Sequence, residues 1–385
     1  MDEIYLDYAA TTPIDPAVQI AMREAEREYY ANASSIHSGG QRSKVRIEKA
    51  RHDIASALEA RAGEIVFTSG GTESNNLALL GAALANRNKG RHIISSGIEH
   101  PSVLETCRHL ASNGFDVDYV KVNKQGEINL KQLESLLRPE TILVSVMMAN
   151  NETGCISPIK EIGEILRGKD ILFHTDAVQA FGKIDIYPQS LNVDLLSLSA
   201  HKIYGPKGIG ALYMREGIRL QKIYYGGKQE AGRRPGTENI AALVGLAEAV
   251  AQITVQKSER KRISTLRDGL ENELLNRIPG IKINGHETDR IYSISNIYFP
   301  FLAGDSVLMN LDMQGILIST GSACSSGAQS PSHVLNTMGL SEHQVLHSFR
   351  ISLGRFTTEL QISKTVDAIY DIYVKHKERF SNRDL

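Results

Sequence analysis

Between residues 64 and 214 short apolar runs alternate with segments of helical periodicity, without an internal repeat. EIVFT (64–68) reads as a strand and TESNNLALLGAALAN (72–86) as a helix. HIISS (92–96), a helix near 101–113, VDYVKV (117–122), a helix over 130–137 and the apolar run ILVSVMMA (142–149) follow. DILFHTD (170–176), DLLSLSA (194–200) and GIGALYM (208–214) read as further buried strands. Strands so short and so continuously apolar need cover on both faces, and the intervening helices supply it. The alternation therefore predicts an α/β fold with a mostly parallel sheet flanked by helices.

From about residue 238 the pattern changes. Residues 239–277 carry long helical periodicity. After Pro279 a smaller α/β unit is expected, with strands near 281–284, 291–299 and 316–319 and helices near 304–313 and 359–375. The domain change is placed near 255. The Gly/Ser-rich stretch TGSACSSGAQSPS (320–332) reads as a mobile loop. The tail 374–385 is mixed in sign and reads as a solvated end.

With 43 Lys+Arg against 44 Asp+Glu the net charge is -1, which gives no reason to expect a nucleic acid or an anionic membrane as partner. Apolar runs are too short to span a bilayer, and the first residues, MDEIYLDYAA, lack a targeting core. The three cysteines, Cys107, Cys155 and Cys324, form neither a CxxC pair nor a disulfide framework. A cytoplasmic protein is expected. The histidines show no HExxH or Cys–His cluster, so no metal site is expected.

Four clusters carry chemistry. SGGTESNN (69–76) joins a strand to a helix, where glycines let the backbone approach an anion and the helix start offers free amides. It is no Walker motif, and it reads equally as a capped helix after a tight turn. HTDAVQA (174–180) delivers Asp176 to the carboxyl end of a strand, the edge at which ligands bind open α/β sheets. A carboxylate there needs a cation, and a protonated pyridine nitrogen would be one; a helix cap is the equal alternative. Gln179 is placed to donate to a ring oxygen. SLSAHKIYGPKG (197–208) brings Lys202 to the same edge, where desolvation would free its amine to form an imine. His100 in GIEHPSV (97–103) is placed either to stack on a ring or to serve as a loop histidine. In order, these are a phosphate cup, a stacking imidazole, a carboxylate for a ring nitrogen and an imine lysine. Pyridoxal phosphate needs all four.

The chain resembles the NifS/IscS-like cysteine desulfurases, within the class V aminotransferase group of fold-type I pyridoxal-phosphate enzymes. YLDYAATTP (5–13), NASSIHSGG (32–40), FTSGGTESNN (67–76), EHPSV (99–103), NNETG (150–154), HTDAVQ (174–179), SAHKIYGPKGIGALY (199–213), RRPGTEN (233–239), STGSACSSG (319–327) and FRISLGR (349–355) carry the resemblance nearly end to end. It implies a large cofactor domain (15–255) with a seven-stranded type of sheet, and a small domain made of 1–14 and 256–385. It implies pyridoxal 5'-phosphate attached at Lys202, stacked on His100 and paired at its ring nitrogen with Asp176, with Gln179 at the ring hydroxyl. Gly71, Thr72, Ser199 and His201 would hold the phosphate, and Thr237 would reach the phosphate site of the other subunit of a homodimer. Asn151 and Arg350 would bind the substrate carboxylate, for which a planar guanidinium fork is suited. Two departures are visible: GGKQEAG (226–232) places Lys228 and Ala231 where the family has Gly and Arg, and NASSIH replaces Asn-Pro-Ser-Ser-Ile-His.

By the same resemblance Cys324 takes sulfur from L-cysteine as a persulfide, leaving alanine, and passes it to an acceptor protein for iron–sulfur cluster assembly or tRNA thiolation. The GSACSSG form resembles the subgroup with a long swinging loop. Cys107 and Cys155 are expected to be buried. The alternatives are a selenocysteine lyase or another fold-type I activity, which would use Lys202 and Asp176 equally, and a non-catalytic pyridoxal-phosphate scaffold.

Overall fold

The structure, a computed structural model, describes residues 3–255, 257–320 and 331–381. The chain enters through a two-residue strand, β1 (Ile4–Tyr5), and two helices absent from the sequence reading, α1 (Pro16–Glu28) and α2 (Ser38–Ala57). α1 starts where the Asp15 carboxylate accepts from the Ala17 amide at 2.8 Å and Pro16 fills the first helical position. α2 opens on Ser-Gly-Gly, which hides its periodicity. A Cβ on Gly40 would lie 2.4 Å from the Ser35 carbonyl oxygen, so close packing requires a glycine there.

The repeating region follows the expected alternation: β2 (Ile65–Thr68), α3 (Gly71–Asn86), β3 (His92–Ser96), α4 (Pro101–Ser112), β4 (Asp116–Val120), α5 (Leu130–Leu136), β5 (Thr141–Ser145), α6 (Ile159–Leu166), β6 (Leu172–Asp176), β7 (Leu195–Ser199) and β8 (Gly210–Met214). The seven strands form one sheet in the order β2-β8-β7-β6-β5-β3-β4. β8 runs antiparallel to both of its neighbours, and the other pairings are parallel. β5, β7 and β8 are buried along their whole length. One face packs on α1, α2 and α7 (Ile240–Val255) through residues such as Ile54, Phe67, Leu196 and Leu246. The other packs on α3 and α4 through Leu77, Leu79, Val103 and Leu110. Each fully buried aliphatic or aromatic side chain in such a layer contributes about 1.5–3 kcal/mol.

Beyond α8 (Lys257–Arg277) a second sheet forms from β9 (Lys282–Asn284), β10 (Ile294–Tyr298) and, after α9 (Gly304–Asp312), β11 (Ile316–Leu317), α10 (His333–Thr337) and α11 (Glu342–Leu346), β12 (Ser348–Ser352). Its order is β12-β10-β9, all antiparallel. The FRISLGR motif is thus largely a strand, which the sequence reading left unassigned. α12 (Glu359–Ser381) runs six residues past its expected end, so much of the charged tail is helical. This second sheet has its own core of residues such as Leu270, Leu274, Phe299, Phe349 and Ile369, and Ile4 and Leu6 belong to it. β1 reaches it by pairing in parallel with β11. Among the described residues no single helix is long and apolar enough to cross a membrane.

Candidate active site

β2, β3, β6 and β7 all end on one edge of the large sheet, and the sequence clusters are the turns that follow them. Together these turns line a cavity of about 160 Å³ with Gly71, Thr72, Asn75, His100, Asn151, Asp176, Gln179, Ser199, His201, Lys202 and Arg350 on its walls. A cavity of that size accepts a small aromatic ring. Ten of the twelve site residues named from the sequence thus line one cavity, and two do not. Thr237 lines a separate surface depression with Glu73, Tyr224 and Arg234, and Cys324 lies outside the described residues.

At the phosphate-cup motif, Gly70 holds φ 150°, open only to glycine, and a Cβ on Gly71 would lie 2.7 Å from the Val178 side chain. Glycine at both positions brings the start of α3 against the end of β6. The first backbone bond of α3 runs from the Ser74 amide to the Gly70 carbonyl at 3.0 Å. Gly71 and Thr72 line the cavity at this start of a sixteen-residue helix, whose first amides lack intrahelical partners and whose positive end lies here. Thr72, Ser199 and His201 add side-chain partners around the same point. His201 is pushed down to about 4, first by burial and then by Lys202 and Lys207, so it is neutral at pH 7.

Asp176 ends β6 and is 4% exposed. One oxygen accepts from the Val178 amide at 2.9 Å and the other from Asn75 Nδ2 at 2.7 Å. Among the described residues it forms no ion pair, so this buried carboxylate still lacks the cation that burial calls for. Asn75 Nδ2 also donates to Ser102 Oγ at 2.8 Å. The Ser102 hydroxyl then donates to His100 Nδ1 at 2.8 Å, and the Ser102 amide donates to the same nitrogen at 3.1 Å. With Nδ1 accepting twice, the proton of neutral His100 is assigned to Nε2. Burial lowers the His100 pKa, against the pull of Asp176. His100 also caps α4 through Nδ1, as the loop-histidine reading has it, and lines the cavity.

Lys202 Nζ donates to the carbonyls of Ala9 and Ala10 at 2.6 and 2.7 Å. Gln179 Nε2 donates to the same Ala9 oxygen at 2.8 Å. Arg350 is 3% exposed; Nη2 pairs with Asp7 at 2.7 Å and Nη1 donates to the Asn151 carbonyl at 2.8 Å, while Nε has no partner among the described residues. Sequence reasoning missed Asn75, Ser102 and Asp7. All three lie inside motifs it quoted, but only three-dimensional contacts give them a part. Of the remaining cysteines, Cys107 is buried with its thiol pushed up to about 12, and Cys155 is buried and raised as well. On the far rim, Ser332 Oγ donates to Glu152 at 2.5 Å and His333 Nε2 to the Glu99 carbonyl at 2.9 Å, while Val334 and Leu335 pack on Ile98 and Met147. The chain that returns from the Cys324 segment is therefore fixed against the cavity wall. Lys228 and Ala231 lie far from this wall, in a short turn where Glu230 and Ala231 take φ of 49° and 55°. Ala33, in the second departure, is buried.

A mixed, mostly parallel sheet with these groups gathered at its carboxyl edge is the architecture of the fold-type I enzymes. The class-V aminotransferase family model matches residues 4–364. Cysteine desulfurase IscS of Dictyoglomus turgidum is 45% identical over 374 residues, covering 97% of this chain and 95% of that protein. Cysteine desulfurase IscS of Methanosarcina thermophila is 47% identical, covering 97% and 92%. Among solved structures, a NifS-like protein superposes with a TM-score of 0.91 at 36% identity, covering 97% of this chain and all of that one. SspA, solved in complex with cysteine, gives 0.82 at 39% identity, covering 92% and 100%. The chain belongs to the class-V aminotransferase family and, within it, to the NifS/IscS-like cysteine desulfurases.

Proposed function

We propose that this protein is a cysteine desulfurase that takes sulfur from L-cysteine onto Cys324 and leaves L-alanine. The observation that carries the reading is the convergence of Lys202, Asp176 and His100 with the α3 start in one cavity, in a chain whose relatives bear that name. The residues fit pyridoxal phosphate: an anion cup at α3, a buried carboxylate short of a cation, and a lysine at the sheet edge. The α3 amides with Thr72, Ser199 and His201 would hold the phosphate, Asp176 the ring nitrogen, Gln179 the ring hydroxyl and Lys202 the covalent attachment. When bound, the cofactor supplies an electron sink for the bonds at the substrate's Cα.

The chain's own groups then divide the work. Arg350, with its unpartnered Nε, and Asn151 hold the substrate carboxylate. Lys202 Nζ moves the proton at Cα, and His100 carries a proton at Nε2. The Cys324 thiolate attacks the substrate sulfur: an Sγ–S bond forms, the Cβ–S bond breaks, and the electron pair left on Cβ takes up a proton to become the methyl of alanine. Cys107 and Cys155 are poor thiolates because burial raises both. A selenocysteine lyase or a non-catalytic scaffold would not need a thiol at 324.

We further propose a homodimer in which Thr237 completes the partner's phosphate site, a sulfur-acceptor protein as second partner, and a division into 15–255 and 1–14 with 256–385. A cytoplasmic setting is part of the same reading, since free thiols need a reducing compartment. The test is wild type against Cys324→Ala with L-cysteine and a reductant, following sulfide, alanine and the visible spectrum. The variant is expected to keep the cofactor band and form neither product. Sulfide and alanine at the wild-type rate from the variant would remove Cys324 from the mechanism and favour a lyase.

A further inference from the structure

The mechanism above leaves one lysine beside the cavity unused. Lys183 follows β6 by a short turn, and its Nζ donates to Gln179 twice, to Oε1 at 2.9 Å and to the backbone carbonyl at 3.0 Å. Gln179 Nε2 donates in turn to the Ala9 carbonyl, which also accepts from Lys202 Nζ. Two lysines are thus joined through one carboxamide and one carbonyl. An ammonium only donates, so it draws Oε1 toward itself and leaves the NH₂ end of Gln179 on the Ala9 and cavity side. Without it, the amide could turn and present an acceptor.

Lys183 and Lys202 also line a second, smaller cavity behind the first, with Tyr204 and Tyr292. Desolvation, with Lys202 and Arg350 as like charges, pushes the Lys183 ammonium down to about 7. Among the described residues, the charged and titratable groups lining the two cavities include Asp176, His100, His201 and Arg350 in the larger and Tyr204, Tyr292, Glu259, Arg260 and Arg355 in the smaller. Near pH 7 Lys183 is divided between ammonium and amine, and either form can donate to Gln179 Oε1.

We propose that Lys183 is a positioning residue of this site: by holding Oε1 of Gln179 it fixes the Nε2 end of that carboxamide toward the Ala9 carbonyl and the cavity. The inference rests on the reading of Gln179 as the contact of the cofactor's ring hydroxyl. The experiment uses the full-length holoenzyme. Its visible band is recorded across a pH series for wild type, Lys183→Met and Lys183→Arg. A donor aimed at the ring oxygen favours the charged form of that oxygen, so the pH midpoint of the band is expected to rise by roughly one unit in the Met variant and to stay near the wild-type value in the Arg variant, which keeps a donor for Oε1. A midpoint that does not move in the Met variant, even with reduced thermal stability, would overturn the proposal, and so would a rise in the Arg variant equal to that in Met. Absence of alanine formation by the wild-type holoenzyme would count against the desulfurase reading and leave this measurement standing.

Discussion

The two walls of the cavity are built differently. On one side Asp176, Asn75, Ser102 and His100 come from the ends of β6 and β3 and the starts of α3 and α4, all on the large sheet, and each link in the chain is a hydrogen bond of 2.7–2.8 Å. On the other side Arg350 comes from β12 of the second sheet and is held by Asp7 and by the Asn151 carbonyl, from two further segments. Among the described residues its Nε is left without a partner, as is the Asn75 side-chain oxygen on the first wall. The first wall is therefore preorganised on one rigid layer, as cofactor chemistry requires. The second wall is assembled across segments and keeps a donor in reserve, which suits a group that binds and leaves in every turnover.

That contrast can be broken at several points. Asp176→Asn should be the most damaging, because it removes the charge proposed to face the ring nitrogen while keeping the shape. The expected loss is on the order of a hundredfold or more in kcat, with a shifted visible band in the holoenzyme; a normal band and rate would mean that the first wall does not tune the cofactor. Arg350→Lys should act mainly on KM for L-cysteine, raising it about tenfold to a hundredfold, since a charged hydrogen bond is worth about 1.5–3 kcal/mol. A loss confined to kcat would show that the two walls are not separable in function. The smallest effect concerns the sheet beneath. His174 accepts or donates to Ser145 at 2.8 Å and Ser197 at 3.0 Å inside the core, and burial pushes it down to about 3. Its pKa is lowered on folding, so its contribution is complete above about 6.5 and declines as pH falls below that value. At pH 5.5 the cost is about 1.4 kcal/mol. Thermal melts of His174→Gln should therefore lose less between pH 7 and 5.5 than those of wild type.

The sheet was legible because short apolar runs with turns admit few arrangements, and Asp176 and Lys202 were legible because each follows such a run. The Asn75–Ser102–His100 relay was not, since Asn75 stands 27 residues from Ser102 and nothing in the pattern pairs them. α2 escaped because two glycines at its start, one of them (Gly40) packed on Asn32 and Ser35, look like a loop. Lys183 escaped because lysines are ordinarily solvated, and only the fold places this one beside another.

Residues 4–12 have a consequence for how the protein is made. They pair with β11, bond Ser352 Oγ through the Ala9 amide across 343 positions, and offer the Ala9 and Ala10 carbonyls to Lys202. A ribosome emits them long before their partners in β11 and β12. Until those follow, this segment lacks the strand it joins. A chain truncated or stalled before them can therefore carry a nearly whole large sheet and still have an open-ended cavity, and competence arrives in one step that joins two segments far apart in the sequence.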